Sequence, residues 1–424
     1  MRRGRGEEQA TARALRRSRH GLVILLLLST SIAAGCRGEP RAASTRLSVF
    51  MANDWGGAPA VLDAVAEFER RHRDVRVEIR KVQFEFMADT VRAAIDAGTP
   101  PDVVQWHAFA GGAQGLAEQL DGAWKGIDDG EFIPGSVEDV TWGAHRYGIP
   151  LDTNAMLLLY DLDRFSSVGA SAPTNLYTFG QLEALARRLS QADRKAIAIP
   201  ESTWHTYGWI KANGGEVVEV GENGRPVFTF GRAESVEAVA FLRKLIADGA
   251  AFPPEGVAGD RVDAFALFKS GLAGLHATGS WDLPALKQAG RGVGIMQMPA
   301  GMRGTSTGTS LGGSSLFVGR GSRQRTLAIE FMHLLTSDRY ALRLAAEEGR
   351  LPVRLRLYTD PLFASAEMQA FSTQLRSAHP FRLEAFPPAH QEFQRALENI
   401  LVRGADPAGT LGAAETKANR SITQ

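Results

Sequence analysis

Along most of this chain, short apolar runs of strand length alternate with longer runs of helical period, and that alternation narrows the fold more than any other feature. The first apolar run, over 47–52, is closed by the turn residues Asn53, Asp54, Trp55, Gly56 and Gly57 before Pro59 opens a helix. Val61, Leu62, Val65, Ala66 and Phe68 then fall on one helical face, and Val75, Val77 and Ile79 alternate as a second strand. A helix over 86–97 is stopped by Gly98-Thr-Pro-Pro101, and a third strand over 102–106 ends at Trp106 and His107. Strand, helix, strand in this order predicts a parallel sheet covered by helices.

A second α/β stretch begins after Tyr147-Gly-Ile-Pro150. It predicts strands over 155–160, 197–200, 272–278 and 293–298, and helices over 179–189, 233–248, 260–270, 326–335 and 339–348. At 424 residues the chain exceeds the roughly 100–200 residues of one domain. Two α/β lobes follow, and a cleft with them, because ligands of open α/β sheets sit beyond the strand ends. No repeat of 20–50 residues suggests a solenoid.

The amino terminus has another purpose. Residues 1–20 carry seven Arg against two Glu and run into an apolar block from Gly21, followed by small residues up to Gly35. These are the three parts of a secretory signal, predicting export and removal of 1–35. The 14 residues of 21–34 fall short of the roughly 18–20 that span a bilayer. Without the leader, 41 basic and 45 acidic residues remain, a formal −4 that gives no reason to bind nucleic acid. Cys36 is the only cysteine, which excludes an intrachain disulfide and a cysteine-rich zinc site. The stretch Ala33-Ala-Gly-Cys36 resembles a bacterial lipobox, although Leu is more usual where Ala33 stands. The resemblance implies a lipid on Cys36, a tether over 36–45, and a protein anchored at the cell surface or within a periplasm; the plain alternative is a small residue near an ordinary cleavage site.

Five of the seven Trp lie in four predicted loops: at Trp55, at Trp106 with His107, over 201–209 with Trp204, His205, Tyr207 and Trp209, and at Trp281 with Asp282. Flat apolar faces beside amides and carboxylates suit sugar rings and their hydroxyls. Local packing is the competing reading for Trp55 and Trp281, and capping of the core for Trp106 and His107. Trp124 and Trp142 read as structural.

Several segments, taken in order, make the chain resemble the family 1 extracellular solute-binding proteins, sugar-binding receptors of ABC importers. They are the helical run from Leu62 with the strand after it, Gly98-Thr-Pro-Pro-Asp-Val-Val, Tyr147-Gly-Ile-Pro-Leu-Asp-Thr-Asn154, Phe268-Lys-Ser-Gly, Gly279-Ser-Trp281, Gly312-Gly-Ser and Arg350-Leu-Pro-Val-Arg354. The resemblance implies the two-lobe, type II periplasmic-binding-protein fold. Lobe one would be 46–151 with 299–342 and lobe two 155–293 with 347–424, crossing near 151–154, 294–298 and 342–347. It implies a monomer that captures a mono- or oligosaccharide, closes by hinge motion and delivers it to the permease. Carried over by position, the cleft residues are Asp54, Trp55, Glu85, Trp106, His107, Asp152, Asn154, Trp281, Asp282, Gly313 and Arg354, joined by location by Trp204, His205, Tyr207 and Trp209. Trp55 and Trp281 would stack on sugar rings; Asp54, Glu85, Asp152 and Asn154 would bond hydroxyls. Tyr160-Asp-Leu162 departs from the family's usual Tyr-Asn-Lys and reads as surface variation.

Other chemistries find less support. Gly308-Thr-Ser310-Leu-Gly312 fits a nucleophile-elbow pattern, but an apolar strand, not a helix, follows it. The nine His form no His-Glu-x-x-His, and no Walker-type loop occurs, so neither metal nor cofactor is expected. A secreted glycoside hydrolase needs two carboxylates across a bond, a spacing no sequence displays. A receptor for another solute, such as a sugar phosphate or polyamine, stays open.

Overall fold

The computed structural model describes residues 45–170, 178–220, 225–254, 263–303 and 308–422. The leader and Cys36 lie outside them.

Strand β1 (Thr45–Ala52) ends in four buried residues and pairs in parallel with β2 (Val75–Val82) along its whole length, from Thr45 opposite Val75 to Ala52 opposite Val82. β3 (Val103–Trp106) pairs in parallel on its other side. The crossover helix α1 (Pro59–Arg71) has proline in its first turn and buries Val61, Ala64 and Phe68, one face at spacings of three and four. Burying a ring such as Phe68 contributes roughly 1.5–3 kcal/mol. α2 (Met87–Asp96) buries Met87, Val91 and Ala94 in the same way.

β4 (Gly148–Ala155) is buried throughout, and after Met156 the chain enters a second sheet as β5 (Leu157–Asp161). Then come α3 (Phe179–Leu189), β6 (Lys195–Ala198), α4 (Thr203–Ala212), α5 (Ala233–Ala247), β7 (Ala251–Phe252), α6 (Ala264–Lys269), β8 (Ala273–Thr278) and β9 (Val293–Met296). A capping box starts α3: Thr178 Oγ1 accepts from the Gln181 amide while Gln181 Oε1 accepts from that of Thr178. The second sheet runs β7-β6-β8-β5-β9.

The chain returns as β10 (Thr309–Val318), α7 (Arg325–Leu335), α8 (Asp338–Glu348) and β11 (Ala378–His379), completing the order β11-β10-β3-β1-β2 with β4 also on β10. Both sheets are mixed, not parallel as expected: β10 runs antiparallel to β3 and β4, and β5 antiparallel to β8 and β9. Helices α9 (Pro387–Leu401) and α10 (Pro407–Ile422) bury Phe393, Leu397, Ile400 and Leu411 in the core that holds α3, α4 and α5.

The chain first passes between the sheets at Met156, since β4 stays paired to β10 through Ala155. The second passage falls after Met296 and before Thr309. At 342–347 there is none: α8 is continuous, with Tyr340 and Leu344 buried in the core that α1 shares. Beyond it, Leu351 bridges Thr153 and β11 pairs with β10 at the first sheet, while the helix Ala366–Leu375 packs Phe371 and Leu375 in a cluster with Leu157 of β5, and Phe381, Leu383, α9 and α10 join the second core. Asp161 is also no surface variant. It is 3% exposed, caps the helix Leu162–Ser167 by accepting from the Arg164 amide at 3.0 Å, and pairs with Arg291.

Candidate functional site

Strand ends and helix termini converge on a cavity of about 1230 Å³. From the first sheet come Ala52, Gln105 and Trp106, Asp152, and Gly312, Gly313 and Ser314. Gln83 to Arg92 line it along the start of α2, and Pro200 to Trp204 where α4 begins. Trp281, Arg350, Glu384 and the face of α9 from His390 to Val402 complete it.

Backbone shape brings the aromatic part together. Ser202 caps α4, its hydroxyl accepting from the His205 amide at 3.3 Å, and this sets Trp204 at the cavity. The Trp204 indole N–H donates to the Leu311 carbonyl at 2.7 Å, and its ring lies 5.7 Å from that of Trp281. Gly312 admits both rings, since a β-carbon there would meet each within 3.3 Å. Gly313 has φ +101°, and a β-carbon on it would lie 2.5 Å from the Asp152 carbonyl. The register shift between Ser314 and Ser315 completes this irregular stretch of β10.

Two buried polar groups flank it. His107 Nδ1 lies 2.7 Å from Asp139 and Nε2 3.3 Å from Glu384. Burial opposes its charge, but Glu384 and Asp139 outweigh that and raise its pKa to about 9, so it is a cation at neutral pH. Burial pushes the Glu384 carboxyl up, with His107 opposing. Asp152, 5% exposed, accepts from the Ser314 hydroxyl at 2.7 Å through Oδ1, while its buried Oδ2 has no hydrogen-bond partner. Burial raises its pKa to about 6 against the pull of Arg350 and Ser314.

Of the residues expected from the sequence, Asp54, Trp55, Glu85, Trp106, His107, Asp152, Trp204, Trp281 and Gly313 line the cavity. Trp55 lines it without a free face: it is 4% exposed, and the Arg350 guanidinium, paired with Asp54, lies over its ring at 5.1 Å. The remaining six are engaged elsewhere. The presumed loop over 201–209 is largely helix α4, which turns Tyr207 and Trp209 into the core; Trp209 packs on Phe179 and Phe241, and the Tyr207 hydroxyl lies 3.3 Å from Glu216. Burial drives the His205 pKa down to about 3, leaving a neutral ring edge-on to Trp204. Asn154 exchanges hydrogen bonds with Ser280, holding the turn before Trp281 to β4. Asp282 accepts from Thr278 and faces His276, and Arg354 bonds Asp338 and the Thr336 carbonyl.

Sequence reading missed Gln105, Ser314, Arg350, Glu384 and His390. A signal existed for Gln105, a polar side chain within the apolar run Val103-Val-Gln-Trp106, and it is fully buried. Ser310 lies within β10 and not on a strand-to-helix turn, so no nucleophile elbow forms. Among the described residues, no cluster of His, Cys, Asp or Glu is placed to hold a metal ion, and no helix is long and apolar enough to cross a membrane.

Comparisons with known proteins agree on one group. The galactooligosaccharide-binding protein of Bacillus subtilis is 23% identical over 417 residues, covering 93% of this chain and 95% of its own. An ABC substrate-binding protein from Listeria monocytogenes, solved in complex with cycloalternan, superposes with a TM-score of 0.78 at 19% identity, covering 90% of this chain and 99% of its own. UgpB from Mycobacterium tuberculosis, solved with glycerophosphocholine, gives 0.77 at 18% identity, with 89% and 98% covered. These structures share the two-lobe periplasmic-binding-protein fold. The model of the bacterial extracellular solute-binding proteins matches residues 63–370, most of the two-sheet body and most of the cavity's lining, and the chain therefore belongs to that family.

Proposed function

We propose that this protein is the exported, lipid-anchored receptor of an ABC importer, and that it captures an uncharged saccharide in the cavity between its sheets without cleaving it. The observation that carries this reading is the cavity's polarity beside the Trp204–Trp281 corner. Seven lining carboxylates face two lining arginines, of which Arg350 is paired with Asp54 and Arg92, at the rim, donates to the Gln114 side chain. His107 is held between carboxylates, and burial keeps His390 neutral with a pKa near about 4. A phosphate seeks uncommitted cations, whereas hydroxyls seek acceptors beside an aromatic face. That favours a sugar over a sugar phosphate or glycerophosphodiester, although a relative of similar fold was solved with glycerophosphocholine. Lipid on Cys36 would keep the receptor near its permease.

A thermal-shift screen against galacto-oligosaccharides, maltodextrins, glycerophosphocholine and spermidine tests the reading. A saccharide at a hundred times its Kd adds about 2.7 kcal/mol of stability and is recovered intact. Stabilisation by glycerophosphocholine alone, or cleavage of the sugar, would overturn it. Metabolic labelling with palmitate, lost in Cys36→Ser, tests the anchor.

A further inference from the structure

Trp281 stands between two clamped neighbours. It follows β8 of the second sheet, in the turn over 279–282. After it, Asp282 is held back to that strand, accepting from the Thr278 hydroxyl at 2.7 Å. Before it, Ser280 is 1% exposed and is tied instead to elements of the first sheet and its core. The Ser280 amide donates to Asn154 Oδ1 of β4 at 3.0 Å, Asn154 Nδ2 donates to the Ser280 hydroxyl at 2.8 Å, and that hydroxyl donates to the carbonyl of Gly349, the residue that ends α8. Each direction is forced. A backbone N–H can only donate, which turns the Asn154 nitrogen toward Ser280 and leaves the single hydroxyl proton for Gly349. The contact with α8 is main chain against main chain: a β-carbon on Gly349 would lie 2.9 Å from the Ser280 carbonyl. The Trp281 ring folds back over Gly279, where a β-carbon would fall 2.1 Å from it, and its centre lies 5.7 Å from that of Trp204.

We infer that Ser280, with Asn154, is a positioning residue for Trp281: one buried hydroxyl joins the turn after β8 to β4 and to the end of α8, and so sets the indole against Trp204 before any cargo arrives. This rests on the proposed function, in which that corner offers the sugar its aromatic face, and deepens it by naming what aims the face. Asn154 thereby has a different task from the one the resemblance implies, since its side chain is fully buried and its Oδ1 accepts from the Ser280 and Ala155 amides. The joint also reaches round the cavity. Gly349 leads directly into Arg350, which pairs with Asp54 over the Trp55 ring, so the polar wall and the aromatic corner share one anchor. A face held in place beforehand lowers the ordering cost of capture. In Ser280→Ala the Asn154 nitrogen and the Gly349 carbonyl lose their common partner, and Trp281 loses its side-chain tie to α8 while Asp282 still holds it to β8.

The test uses the full chain with Ser280→Ala, Trp281→Ala and the double variant; Leu411→Ala, buried off the cavity lining, is the control for lost stability alone. Two indoles this close couple their transitions and give a split circular-dichroism band in the far ultraviolet. Without ligand, that band should be present in the parent and in Leu411→Ala, absent in Trp281→Ala and weakened in Ser280→Ala. Binding is then measured with a galacto-oligosaccharide mixture and, separately, with glycerophosphocholine and spermidine. Ser280→Ala should bind the sugar about three- to tenfold more weakly, and Trp281→Ala about thirtyfold or more. The double variant should bind no more weakly than Trp281→Ala, because Ser280 acts through that ring. An undiminished band and affinity in Ser280→Ala, losses that simply add in the double variant, or an equal loss of affinity in Leu411→Ala would overturn the positioning role and leave the receptor reading standing. Spermidine or glycerophosphocholine bound in place of sugar would sink the carbohydrate reading; the same non-additive pattern with that probe would keep the joint, and an additive one would remove it as well.

Discussion

His107 illustrates what one side chain does when two carboxylates close on it. Its folded pKa is raised to about 9. The stability this contributes is fully present below the unfolded value near 6.5 and lost as pH rises through 9. Such a shift corresponds to about 3 kcal/mol, less what burying Glu384 costs. His107→Gln should accordingly melt well below the parent at pH 6.5 and nearly level with it at pH 9.5; a gap independent of pH would show that the ring acts by packing alone. Single residues were also where sequence reading divided most sharply. It found Trp204 and Trp281 because tryptophan beside glycine and polar residues is visible in a string. It could not separate Trp204 from Trp209, because which face of a ten-residue helix meets the core is decided by Phe179 and Phe241, on helices remote in sequence. It chose Arg354 over Arg350 for a related reason: both are arginines in one short motif, and only packing puts Arg350 over Trp55 and Arg354 over Phe132.

β10 is the element on which the site depends most. It pairs with β3, β4 and β11, and its glycines set how closely Asp152, Trp204 and Trp281 approach. Replacing Gly313 by Ala places a side chain at φ +101° and 2.5 Å from a carbonyl oxygen. Urea unfolding should show a loss of about 1–3 kcal/mol, the usual cost of a strained backbone; an unchanged midpoint would mean that β10 shifts without penalty. Where periodicity placed elements it did so to within a few residues, because burial imposes it, as at α3, predicted over 179–189 and found at Phe179–Leu189, but it placed none over α9 or α10. It failed at α4, where buried and half-buried side chains on nearly every side erase the amphipathic signature and only the Ser202 cap marks a helix start.

At the scale of the molecule, α9 and α10 close the second core from the far end of the sequence. Leu411 of α10 is fully buried there with Phe230, Phe393 and Leu397. Leu411→Ala should cost about 2–5 kcal/mol, and because β4, Met156 and β5 join the two cores directly, tryptophan fluorescence and far-ultraviolet circular dichroism should still report one coincident transition. Two separated transitions would show that the cores unfold independently. Strand and helix succession made the two-sheet body legible, but not the late passage of the chain, since over 351–379 single bridges such as Thr153 with Leu351 mix with one short helix, Ala366–Leu375, whose Phe371 and Leu375 pack with Ala155 of β4 and Leu157 of β5. The glycine pair on β10 bears on how substitution could reshape the cavity. Where main chain alone lines the cavity, a point mutation has no atom to trim and can only add one, so substitution at Gly312 or Gly313 narrows this wall and never enlarges it. Inventive variation is left to the side chains of Gln83 to Arg92 and of α9 from His390 to Val402, which descendants can exchange one at a time while keeping the same strand beneath.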